Sequence, residues 1–341
     1  MEPSKLFDEL TERRRRALHN ALGADIAGAL QDPDITDVLV NADGRLRLGT
    51  LSRGRVTTGV SLEPQAIEAM LKRIAGELGQ ELDASRPRLQ GVIPHDGSRI
   101  QGAIPPLVPA PCFAIRKHHS GIFPLSDYLH GDEGDAYRTA LDAALRERLN
   151  ILIAGATGSA KTSFLNSVLQ RLVELDGGDQ RLYIAEDTRE IRSPLTDTVQ
   201  IQTGAGVTLT QVLKDGLRFW PDRIVVGEVR GPEYAGDGQA RVHPAFEMIE
   251  AFNTGHRGGL CTLHANSARD ALARLEQLLR RAGEPAAVAR ELVAANIDLV
   301  VFIRRVGSAA WSVTEVLRVV DCVDGAYVLQ PPTPEKGGSP S

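Results

Sequence analysis

The stretch Asn150-Ile151-Leu152-Ile153-Ala154-Gly155-Ala156-Thr157-Gly158-Ser159-Ala160-Lys161-Thr162 decides the fold. Asn150–Ala154 is an apolar run of strand length, and Lys161 to about Glu174 carries a helical pattern. Between them the spacing fits the phosphate loop G-x-x-x-x-G-K-[ST] in its required strand-loop-helix context, with one departure. Glycines let the backbone wrap closely and aim N–H groups at phosphate oxygens, and the helix N-terminus adds its positive dipole end. The candidate binding residues are Gly155, Ala156, Thr157, Gly158, Ser159, Ala160, Lys161, Thr162 and Ser163. Lys161 would reach the β- and γ-phosphates of ATP, and Thr162 would set its hydroxyl on Mg²⁺. The departure is Ala160, which stands where the pattern has glycine. In helical φ/ψ the alanine is free of strain. At positive φ it costs about 1–2 kcal/mol and weakens the loop.

Working outward, further strand-like runs lie at Arg181–Ala185, Asp222–Val226, Leu260–Leu263 and Leu299–Ile303, separated by helical patterns. That alternation predicts an α/β domain with a mainly parallel sheet. Upstream, Leu6–Leu22 reads as a helix, separated from the next element by Asp32-Pro33-Asp34. Ile35–Asn41 reads as a strand, Asp43-Gly44 as a hairpin turn and Arg45–Leu48 as its return. Glu63–Leu78 has helical spacing, and Ile100–Ile104 and Cys112–Ile115 look like short strands around a proline-rich loop. The expected domains are a small α+β unit over 1–120, a linker over 121–135, an α/β domain over 136–330 and a disordered tail over 331–341.

The balance of 39 Lys+Arg against 44 Asp+Glu, with 42% hydrophobic residues, describes an ordinary soluble globular protein. The first 130 residues are charge-neutral and the acidic excess lies downstream, so neither part is a basic nucleic-acid module. No run approaches the roughly 20 apolar residues that span a bilayer. The amino terminus lacks a signal-like apolar core, so a cytoplasmic protein is expected. Cys112, Cys261 and Cys322 support neither a disulfide framework nor a zinc site.

Chemistry beyond the loop requires carboxylates at the same rim, because ligands of doubly wound sheets sit beyond the carboxyl ends of the strands. Two acidic clusters are placed there by the strand pattern: Glu186-Asp187-Thr188-Arg189-Glu190 and Gly227-Glu228-Val229-Arg230. Nucleotide hydrolysis needs such groups to orient water and to hold Mg²⁺. An aspartate commonly precedes the catalytic glutamate, and Gly227 takes that place here. The metal would then rely on Thr162, phosphates, waters and Glu186 or Glu228. His264 closes another strand and could sense a γ-phosphate, whereas His118, His119 and His243 read as structural.

Taken in order, Gly155–Thr162, Glu186–Glu190, Leu217-Arg218 with Pro221–Gly231, and Thr254-Gly255-His256 with Thr262–Asn266 resemble the Walker A, Asp, Walker B and His boxes of the secretion or traffic ATPases. Within that superfamily the chain is most similar to the type IV secretion branch and its TrbB-type conjugal transfer ATPases. Asp32–Asn41 and Ile115–His118 share in the likeness, which covers about residues 25–325. The resemblance implies a homohexameric ring of Mg-dependent ATP hydrolases working with inner-membrane secretion or conjugation components. It implies ATP between the small domain and the RecA-like domain, with Arg99 and Arg116 reaching the phosphates. Glu228 would polarise water, Glu186 would support metal or water, and His264 would read the γ-phosphate. Arg218 and Arg230 are weaker candidates for contacts between domains or subunits.

Two further departures are Phe219-Trp220, where a more polar pair is expected, and a long segment around Gly236–Pro244, read as a surface loop. The run Arg13–Arg16 offers anionic lipid a peripheral contact, or else forms a solvated helix face. The rival readings are a pilus assembly or retraction ATPase, a nucleic-acid motor on the same core, and a catalytically dead scaffold whose support is Ala160 and Gly227. Sequence-specific nucleic-acid binding is not expected.

Overall fold

Every strand predicted around the phosphate loop forms, within three residues of its expected ends, in the computed structural model. The structure describes residues 18, 20–94, 97–117, 122–204, 206–234, 241–307 and 310–332. The chain divides into two units, Met1–Gly121 with Gly307–Ala310, and Ile122–Val306 with Trp311–Ser341. Arg13–Arg16, His118, His119 and positions 333–341 of the expected tail lie outside the described residues.

The first continuous described element of the first unit is helical, residues 20–31 (α1), and it passes the expected helix end at Leu22 to stop at the break before Asp32. Leu22, Ile26 and Leu30 recur at helical spacing and are buried, which accounts for the extension. Strands Ile35–Val40 (β1), Arg45–Thr50 (β2) and Gly54–Ser61 (β3) precede helix Pro64–Glu77 (α2). Strands Arg88–Val92 (β4), Arg99–Ala103 (β5) and Cys112–Arg116 (β6) come next. They form an antiparallel six-stranded sheet in the order β3-β2-β1-β6-β5-β4. Helix α2 buries Ile67, Met70, Leu71 and Ile74 into the core with Val38, Leu89 and Ile115.

In the second unit, helix Gly131–Arg146 (α3) begins inside the expected linker. Its glycine- and acid-rich start resembles loop composition, yet Asp132 and Glu133 lie in its first turn, where carboxylates suit the helix dipole. Strand Ile151–Gly155 (β7) leads through the loop to helix Lys161–Asp176 (α4). Then come Leu182–Glu186 (β8), Thr198–Gln202 (β9), helix Leu209–Gly216 (α5) and Arg223–Val229 (β10). A short hairpin pairs Glu233–Tyr234 (β11) with Arg241–Val242 (β12), so part of the expected surface loop is ordered strand. Helix Pro244–Asn253 (α6), strand Leu260–His264 (β13) and helices Ala268–Ala282 (α7) and Ala286–Asn296 (α8) continue the chain. The unit closes with Leu299–Val306 (β14), Ala310–Val323 (β15) and Ala326–Gln330 (β16).

The sheet order is β16-β15-β14-β7-β13-β10-β8-β9, with all neighbours from β14 to β9 parallel. Alternate residues of β7 feed opposite cores. Leu152 and Ala154 pack with α5, α6, α7 and α8, while Ile151 and Ile153 pack with α3 and α4. Helices therefore cover both faces, the RecA-like arrangement. From β7 the chain builds toward β8 first and places β14 on the other side later, so the phosphate loop leaves the sheet at its topological switch point.

Candidate nucleotide site

Four strand ends build the site. Parallel register sets His264 of β13 beside Gly155 of β7, and β10 lies on the far side of β13. The phosphate loop, His264 and the Glu228 cluster are thereby brought to one rim. Lys161 is buried, and its Nζ donates to Gly155 O at 3.1 Å and to Ala156 O at 3.0 Å. Nζ also lies 3.0 Å from His264 Nδ1. On its other side His264 presents Nε2 to Glu228 Oε1 at 2.7 Å. Glu228 Oε2 accepts from Arg230 Nη2 at 2.8 Å, and Arg230 Nε lies 3.6 Å from Asp187 Oδ2. A continuous polar chain thus runs Lys161–His264–Glu228–Arg230–Asp187 across the rim. Burial, and then the Lys161 charge, hold the His264 pKa below its usual value.

Ala160 adopts φ 65° and ψ 28°, the left-handed region, so the strained alternative is the one that occurs. Gly155 is needed for a different reason. A Cβ there would fall 2.3 Å from Ser159 Oγ and 2.4 Å from Ile303 O of β14. The loop's outer side meets β15, where Trp311 Nε1 donates to Gly158 O at 3.0 Å.

The acidic cluster after β8 divides into an inward and an outward member, and Glu186, expected as a catalytic or metal-side group, is the inward one. Glu186 is 2% exposed. Its Oε1 accepts from the backbone N–H of Glu190 and Ile191 at 2.9 and 2.7 Å, and its Oε2 accepts from Gln200 Nε2 at 2.6 Å. Burial raises its pKa. The carboxylate folds the loop that succeeds it. Glu190 is the member that reaches the phosphate loop, where Thr162 Oγ1 donates to its Oε2 at 3.1 Å. The sequence carried that signal only as an i, i+4 spacing from Glu186.

Gly227 acquires a physical cause. A Cβ at this position would come within 2.9 Å of Glu186 Cγ, so the space an aspartate would need is filled from the neighbouring strand. Thr262 Oγ1 donates to Gly227 O at 2.6 Å and holds the kink where the β10–β13 register slips.

The remaining expected residues are carried by other elements. Arg99 and Arg116 belong to the first unit and stand directly opposite each other on β5 and β6. Arg218 is exposed near Asp215. His256 lies before β13, at the amino edge of the sheet, with Nδ1 3.1 Å from Pro221 O.

The profile described as type II/IV secretion system protein matches residues 83–321. The conjugal transfer protein TrbB of Rhizobium radiobacter is 37% identical over 305 residues, 89% of this chain and 90% of its own length. The probable conjugal transfer protein TrbB of Sinorhizobium fredii is 35% identical over 92% of each chain. The chain belongs to the type II/IV secretion family, TrbB type. This TrbB-type protein also shares its fold with the ATPase DotB of Yersinia pseudotuberculosis. That structure has a TM-score of 0.62 at 17% identity, over 84% of this chain and 76% of that one. Among the described residues, no helix of this TrbB-type chain is long and apolar enough to cross a membrane.

Proposed function

We propose that this chain is a Mg-dependent ATP hydrolase that energises a type IV secretion or conjugal transfer apparatus as a homohexameric ring, peripheral to the inner membrane. The observation that carries the reading is the Lys161–His264–Glu228 chain at the mouth of a phosphate loop. A cation, an imidazole and a carboxylate there are the groups that phosphate binding, γ-phosphate sensing and water activation require.

With ATP in the loop, Lys161 leaves the carbonyls of Gly155 and Ala156 for the β- and γ-phosphates. Glu228 then polarises the attacking water. Its two oxygens each hold one donor, and a carboxylate has about four acceptor positions, so capacity for a water remains. His264 orients Glu228 and reads the γ-phosphate beside it.

The residues fit a magnesium ion. Thr162 Oγ1 and Glu190 Oε2 are hard oxygen donors 3.1 Å apart at the start of α4. Mg²⁺ favours one or two such protein ligands completed by phosphate and water. Bound there, it would neutralise charge on the β- and γ-oxygens. We assign this side of the site to Thr162 and Glu190, and give Glu186 the task of holding the loop that carries Glu190.

Arg116 and Arg99 supply cations for the transferred charge. Lys161→Ala is the decisive test. Turnover should fall to background while the fold survives, and wild-type turnover in that variant would end the ATPase reading. Loss of plasmid transfer in cells carrying Lys161→Ala tests the conjugation half.

A further inference from the structure

The left-handed bend at Ala160 is strained, since an L-residue at φ 65° brings Cβ against its own carbonyl. Such a bend persists only where its surroundings over-determine it. Within the loop, Ser159 N donates to Ala156 O at 3.2 Å. Lys161 Nζ gathers the carbonyls of Gly155 and Ala156, but those are the contacts it gives up to a phosphate. One support reaches the bend from outside the loop and competes with no phosphate. Trp311 Nε1 donates to Gly158 O at 3.0 Å, two residues before Ala160.

We propose that Trp311 is a positioning residue for nucleotide binding: its indole N–H, bonded to Gly158 O, holds the Ala160 bend that the loop needs to receive phosphate. This rests on the nucleotide reading above. The ring is itself held in place. It packs with Ala160 against the core under α3 and α4, and the Arg305 guanidinium lies 5.7 Å from its centroid. A glycine at 160 would need no such support, because glycine enters the left-handed region without a steric penalty. In this chain the indole does what glycine does in the ordinary loop.

The test is a two-by-two comparison of ADP affinity by calorimetry in wild type, Trp311→Phe, Ala160→Gly and the double variant. Phenylalanine keeps the ring and removes the N–H. Affinity should drop about fivefold in Trp311→Phe, the scale of one neutral hydrogen bond. In the Ala160→Gly background the same change should cost less than about twofold. Unchanged affinity in Trp311→Phe, or an equal loss in both backgrounds, overturns the proposal and leaves the nucleotide reading standing. A wild-type protein that binds no ADP overturns both. A second measurement needs no change at Trp311. Of the two tryptophans, Trp220 is 88% exposed, so Trp220→Phe isolates the Trp311 indole proton by NMR. That proton should stay protected from exchange when ADP is added, and fast exchange overturns the proposal independently.

Discussion

His264 Nε2 stands 2.7 Å from Glu228 Oε1, on the side of the ring away from Lys161. The network assigns the tautomer. Lys161 can only donate, so Nδ1 accepts and Nε2–H donates to the carboxylate. The imidazole is therefore neutral in the resting site, and each neighbour helps to keep the other oriented.

A titration of the nucleotide-free protein checks this. By NMR, His264 should protonate below the usual histidine value of about 6.5, because burial and the Lys161 charge oppose the imidazolium. Lys161→Met removes a cation and should move the value upward. The linkage has a definite sign. With the folded value below the unfolded one, the unfolded chain binds more protons between the two. Stability from this group is thus present above the unfolded pKa and declines as pH falls toward the folded one. A value above 6.5 in wild type would contradict the assigned network.

The two glutamates after β8 should separate by phenotype. Glu190→Gln is expected to leave the melting temperature nearly unchanged and to lower kcat by about 10–100-fold through weaker metal support. Glu186→Ala strips the acceptor from two backbone N–H groups and Gln200. Buried donors left unmet cost about 1–3 kcal/mol each at most, so thermal unfolding should show a clear loss of stability. Equal losses of stability in both variants would erase the distinction.

Gly227→Ala tests the shared space between β10 and β8. The new Cβ would lie 2.9 Å from Glu186 Cγ, between buried strands with little room to shift. Overpacking of this kind costs about 1–3 kcal/mol, readable as a lower denaturant midpoint. Gly227→Asp should be worse, since it adds a second carboxylate beside a buried one.

Arg116→Ala should separate activity from stability. The residue is exposed, faces Arg99 across one ladder and Asp37 across the other. Losing it relieves a repulsion and an attraction together, so stability should hold within about 0.5 kcal/mol. Turnover should fall by about 10³-fold if its guanidinium stabilises transferred charge. A variant with wild-type kcat would remove Arg116 from the machinery.

Legibility tracked the strength of local signals. The buried strands β7, β8, β10, β13 and β14 were readable because each is a continuous apolar run. The half-buried edge strand β9 reads Thr-Val-Gln-Ile-Gln and left no apolar run to detect. Strand β3 alternates between exposed and half-buried positions, so its pattern never reaches core hydrophobicity. Helix α3 was hidden behind Gly131-Asp132-Glu133-Gly134, a start with turn composition. In the site, Lys161, Thr162, Glu228 and His264 were legible because motif spacing and strand ends place them. Glu190 was legible only as a member of its acidic cluster and Trp311 not at all, since each meets the loop from a separate turn or strand.

The sequence by itself determined the strand-loop-helix unit, the parallel α/β class, the rim on which the charged clusters fall and the resemblance to the secretion ATPases. Those properties depend on residue order within short windows, where periodicity and spacing act directly. Only the tertiary structure decided that Ala160 is strained, that Glu186 turns inward while Glu190 meets Thr162, and that Gly227 makes room for a neighbouring strand's side chain. Each of these is settled by atoms brought together from separate strands, and steric exclusion and hydrogen-bond satisfaction between such atoms exist only once the sheet has formed.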